Sequence, residues 1–136
     1  MEHARVYETL VNRAKGFLHL AELALSHRLY DLACFMAERA VQLYLKAQLF
    51  RLAGDYPRTH HIRQLLARLL EILPDAEACI LGEYVRANRA RLSELEDAYV
   101  MARYTTKPYT REDAEEIICF VREILERISK VVERAR

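Results

Sequence analysis

The sequence predicts an all-α protein, an antiparallel up-and-down bundle of four to five helices built as a single domain over residues 1–136. Apolar residues recur at three- and four-residue steps along nearly the whole chain, the spacing that lines one face of a helix. Pro57, Pro74 and Pro108 fall between these periodic stretches. No stretch shows the strict apolar and polar alternation of a half-buried strand.

A first helix follows from Val6, Leu10, Phe17, Ala21 and Leu25, which fall three, four or seven residues apart. After the turn Ser26-His27-Arg28-Leu29, residues 30–53 carry apolar side chains on nearly every side, so the second helix has to be largely covered by neighbours. Its narrow polar stripe is Asp31, Glu38, Gln42 and Lys46, and Gly54 stands where a helix-ending glycine belongs. Thr59 is the expected N-cap of a short third helix with Ile62, Leu65, Leu66, Leu69 and Leu73 inward. Past Pro74-Asp75, the residues Leu81, Val85, Asn88, Leu92, Leu95, Tyr99 and Ala102 predict one long fourth helix with a coiled-coil-like seam, Asn88 setting its register. Thr110-Arg111-Glu112-Asp113 resembles a capping box ahead of a final helix through Ile117, Val121, Ile124, Ile128 and Val131.

Composition narrows the function. Apolar residues make up 52% and charged residues 30% of the chain, and its formal net charge is +1, so no global field draws it onto nucleic acid or anionic lipid. Cys34, Cys79 and Cys119 lie far apart beside apolar neighbours, as buried thiols in a reducing cytoplasm do. No apolar run reaches the ~20 residues of a membrane span, and Met1-Glu2-His3 opens no signal peptide, so a soluble cytoplasmic protein is expected. Lysine is confined to Lys15, Lys46, Lys107 and Lys130 while arginine is frequent, a thermophile-like balance. No metal or other cofactor is expected, because no Cys or His pair has chelating spacing and no Gly-rich loop is present to cradle phosphate.

The run Tyr30-Asp31-Leu32-Ala33-Cys34-Phe35-Met36-Ala37, with Ala40 and Leu45-Lys46-Ala47 after it, resembles the second-helix signature of HEPN domains, the "higher eukaryotes and prokaryotes nucleotide-binding" family. Thr59-His60 before a Leu-Leu helix, Ala102-Arg103-Tyr104 closing the fourth helix, and the final amphipathic helix follow in the family's order. Glu38, Arg39 and Gln42 depart from the Gln, Gln and Glu of many members. The resemblance implies a four- or five-helix bundle, frequent homodimers, and pairing with a small nucleotidyltransferase in toxin–antitoxin-like modules. It also implies one of two activities: metal-independent RNA cleavage by an Arg and a His four to six residues apart near a late helix, or binding of a nucleotide where that pair is missing.

Here the pair is missing from its place. Arg13 and His19 have such a spacing but belong to the first helix, and no histidine follows Arg103. A nucleotide-binding or partner-binding regulator is therefore expected, with a ribonuclease built on a non-standard pair, Arg103 with His60, as the alternative. The candidate ligand residues are Arg103, Tyr104, His60 and Lys46. Guanidinium and phenol suit a phosphate and a base, although a cation also sits comfortably at a helix C-terminus. His60 at a helix start either bonds neighbouring backbone or assists an anion there. Lys46 either reaches a ligand or extends its ammonium to solvent. The cluster Arg86, Arg89 and Arg91 is interleaved with Glu83, Glu94, Glu96 and Asp97 and reads as a salt-bridged solvated face. The all-round apolar second helix and the fourth-helix seam predict a homodimer burying part of both.

Overall fold

In the computed structural model of the chain, residues 2–104 and 108–136 are described, residues 102–104 by their backbone alone. Six helices follow one another: α1 (Glu2–Ser26), α2 (Tyr30–Ala53), α3 (Ile62–Ile72), α4 (Asp75–Ala87), α5 (Arg89–Tyr104) and α6 (Arg111–Arg134). The described residues contain no strand. α2 runs through the middle and packs against α1, α3, α5 and α6, while α4 packs on α6 and α3.

Local chemistry sets the helix ends. α1 closes in a Schellman-type turn, the Leu29 N–H donating to the Ala24 carbonyl at 2.8 Å, with Arg28 held at φ 64°. α2 stops at Gly54, whose φ of 79° is the left-handed conformation that a side chain disfavours. Thr110 does form the capping box: its Oγ1 accepts from the Asp113 N–H at 3.1 Å, and its own N–H donates to Asp113 Oδ2 at 2.9 Å. Thr59 is not the N-cap of α3, which is His61. Its hydroxyl instead accepts from the His61 N–H at 3.1 Å, the bond falling just ahead of the helix.

Helices expected as one are two. Asn88 leaves the helical region at φ −119°, its Nδ2 donating to the Tyr84 carbonyl at 2.8 Å while its Oδ1 accepts from Arg91 at 3.1 Å. An amide that bonds its own backbone competes with the helical ladder, so Asn88 makes a junction between α4 and α5 instead of fixing the register of a seam. Tyr84, whose Oη donates to Glu123 at 2.5 Å, and Arg91, 3.3 Å from the same carboxylate, pin that junction to α6. Burial and the Glu123 carboxylate push the Tyr84 phenol far up, so it stays a donor.

The core is aliphatic. Leu45 and Leu49 of α2 meet Leu65 and Leu69 of α3, Leu92 and Leu95 of α5, and Ile124 and Ile128 of α6, all fully buried. Each contributes roughly 2 kcal/mol by removal from water. α1 adds mostly small residues, Ala14, Ala21 and Ala24, packed on α2. Cys34 is buried as expected, but Cys79 and Cys119 are exposed thiols. Among the described residues no helix is long and apolar enough to cross a membrane.

Candidate functional site

The polar stripe of α2 faces α5 and the loop before α3, and half of it is interior. Glu38 and Gln42 have no exposed surface. Gln42 Nε2 donates to Glu38 Oε2 at 2.5 Å, and Arg39 donates to Gln42 Oε1 at 3.3 Å. Glu38 Oε1 has no hydrogen-bond partner among the described residues. Burial, reinforced by the Glu96 carboxylate on α5, raises the Glu38 carboxyl from 4.5 to about 8 against the opposing effects of Gln42, Arg39 and Lys46, so it is protonated at neutral pH.

One turn beyond Gln42, Lys46 is half-buried with its Nζ 5.8 Å from the centre of the Tyr56 ring. Its pKa is lowered, first by burial and then by Arg39 and Arg58, two cations close enough to repel its charge. Three cations thus converge where the interior carboxyl beneath them is neutral. Such a cluster favours an anion from outside.

An aromatic row stands alongside. The Phe35 ring of α2 stacks on Tyr99 of α5 with centres 5.7 Å apart, and Tyr99 stacks in turn on His60 at 5.1 Å and 19°. His60 therefore contributes a ring face, with its imidazole exposed, instead of bonding a helix end. The α3 N-terminus beside it already holds an anion: Glu96 accepts from the Arg63 N–H at 3.0 Å and from Arg63 Nε at 2.6 Å. The chain's own carboxylate thus occupies the helix start that would otherwise attract a phosphate.

Of the four candidate residues, the structure brings Lys46 and His60 to the same side of the bundle. Arg103 and Tyr104 close α5 one turn past Tyr99, and their side chains lie outside the described residues. Arg13 and His19 are both exposed on α1. Sequence reasoning missed Phe35, Tyr99, Arg39 and Arg58. Tyr99 was legible only as a seam residue, and the available signal was its position four residues before Arg103. Among the described residues no group of three or more His, Cys, Asp or Glu is placed to hold a metal ion.

A protein-family model, the HEPN domain, matches residues 7–131. The chain belongs to the HEPN family. Two solved structures share this HEPN fold. The structure of TT1696 from Thermus thermophilus is 25% identical with a TM-score of 0.72, covering 92% of this chain and 97% of its own. ST0689, an archaeal HEPN homologue, is 26% identical with a TM-score of 0.66, covering 93% of this chain and 97% of its own. No curated protein matches. The cation cluster and the aromatic row of this HEPN domain both start from the second-helix segment that carries the family signature.

Proposed function

We propose that this HEPN domain binds a nucleotide on the surface formed by α2, α5 and the loop before α3, and that the bound state is what a partner protein reads. The stack of Phe35, Tyr99 and His60 beside the mutually repelling cations Lys46, Arg39 and Arg58 carries the reading. An aromatic face takes a base, and cations that repel one another take its phosphates. The exposed His60 ring offers the outer face of the row. Arg103 and Tyr104, one turn beyond Tyr99, extend the same surface. A second copy of the chain pairs along the open face of α2, where Leu32 is 39% exposed and Met36 is half-buried, and a small nucleotidyltransferase is the partner that the family membership points to.

Calorimetric titration with ATP and other nucleotides tests the binding. His60→Ala weakens it about tenfold or more, the worth of one base stacked on a ring, and Lys46→Gln weakens triphosphates more than nucleosides. Failure of every nucleotide to bind, or unchanged binding in both variants, refutes the reading. Light scattering at micromolar concentration tests the pairing, and a monomer removes it.

A second reading, a ribonuclease, draws on the stacking of His60 against Tyr99, because α5 carries Arg103 one turn further on. His60 would move the proton and Arg103 would hold the phosphate. Cleavage of single-stranded RNA that disappears in His60→Ala supports it, and absence of cleavage at high protein concentration eliminates it.

A further inference from the structure

α2 carries a second polar stripe, at Tyr44, Gln48 and Arg51, on the side away from the cation cluster. These residues, spaced four and three apart, open into a cleft of about 210 Å³ between α1 and α6, whose other lining residues include Tyr7, Ser129, Glu133 and Arg136. Gln48 is only 1% exposed, a third buried polar side chain of α2 after Glu38 and Gln42 and on a different face from them. Leucine there would be less costly to bury, so the amide calls for a polar reason.

Hydrogen bonding supplies one. Tyr7 Oη accepts from Gln48 Nε2 at 3.3 Å and from Arg51 Nη1 at 3.0 Å, while the Arg51 guanidinium lies 4.7 Å from the Tyr7 ring centre. A phenol has two lone pairs. Both are committed, which leaves the Tyr7 O–H, together with the remaining Arg51 N–H groups, to donate to an acceptor. Across the cleft Tyr44 and Ser129 present hydroxyls, and burial raises the Tyr44 pKa and keeps it a neutral phenol. Glu133, close enough to Tyr44 to act on its charge, supplies a carboxylate to the same space.

We propose that this cleft binds a small zwitterion of the α-amino acid type, its carboxylate held by Tyr7 and Arg51 and its ammonium by Glu133. The lining carries both signs of charge, guanidinium groups on Arg51 and Arg136 and a carboxylate on Glu133, as a zwitterion requires. A phosphate dianion has no ammonium for Glu133 to hold. The volume is below that of a drug-sized pocket and suits a small metabolite. This site is independent of the nucleotide surface, so either can fail without the other.

The test is calorimetric titration of the full chain with the common α-amino acids, and with acetate, methylamine and inorganic phosphate as fragments and competitors, up to about 10 mM. At least one amino acid binds, and the fragments bind far more weakly. Arg51→Gln and Glu133→Gln each weaken that binding about tenfold or more. Both side chains are on exposed residues, and circular dichroism verifies that the variants fold. Tyr7→Phe, which removes only the hydroxyl, weakens binding as well. Silence from every amino acid, phosphate binding as tightly as the best of them, or indifference to either charge substitution overturns the proposal.

Discussion

Glu38→Gln makes the protein more stable at neutral pH and flattens its stability profile between pH 4.5 and about 8. In the folded chain the Glu38 carboxyl is raised from 4.5 to about 8, chiefly by burial. Between those values the unfolded chain has released this proton and the native chain keeps it. The native state therefore binds more protons, and stability falls as pH rises. The loss accrues at about 1.4 kcal/mol per pH unit. It is absent below pH 4.5, reaches roughly 3 kcal/mol at pH 7, and levels off above about pH 8. Glutamine has nearly the same shape and cannot ionise, and its amide oxygen still accepts from Gln42 Nε2. Urea unfolding of both proteins at one fixed concentration, followed by far-ultraviolet circular dichroism from about pH 4 to about pH 9, gives the two profiles. Their difference isolates Glu38 from every other titrating group. Parallel profiles across the window would show that Glu38 ionises as freely in the native state as in the unfolded chain, and the reasoning would fail.

Three further substitutions probe the scaffold by thermal or urea unfolding. Arg28→Gly raises stability by about 1 kcal/mol, because Arg28 sits at φ 64° at the end of α1 where glycine carries no steric penalty. Glu96→Ala lowers it by about 1–2 kcal/mol, since it removes the carboxylate that accepts from the first turn of α3 and pairs with Arg63. Tyr84→Phe costs about 1 kcal/mol by deleting the bond to Glu123 that fastens the α4–α5 junction to α6.

The fold class and most helix boundaries were legible because they are local. Gly54 and the Thr110 capping box end and start helices by chemistry contained within a few residues, and both sit where the sequence placed them. The break at Asn88 was not legible, because the apolar period runs straight through it and the decision rests on one amide turning to its own backbone. The exposed thiols were misread for a geometric reason. Consecutive helical residues point about 100° apart, so the buried Phe120 beside Cys119 says nothing about the sulfur. For the site, the sequence marked His60, Lys46 and the polar stripe to which Lys46 belongs. It did not show that α5 would cover Glu38 and Gln42, nor that Tyr99 would stand between Phe35 and His60, since those are contacts between residues tens of positions apart.

The central placement of α2 orders the molecule in time as well as in space. Deuterium reaches its amides only when helices on several sides have moved away, so α2 exchanges at the rate of global unfolding. α1 touches little besides α2, so a single helix holds most of its buried face, the alanines Ala14, Ala21 and Ala24 with Leu10 and the half-buried Val11, Phe17 and Leu18 around them. It can open as a unit while the remaining helices hold together. Such an opening would uncover Tyr7 and the crevice against α6 long before the aromatic row on α5 was disturbed, so the two faces of α2 would have separate kinetic thresholds for exposure.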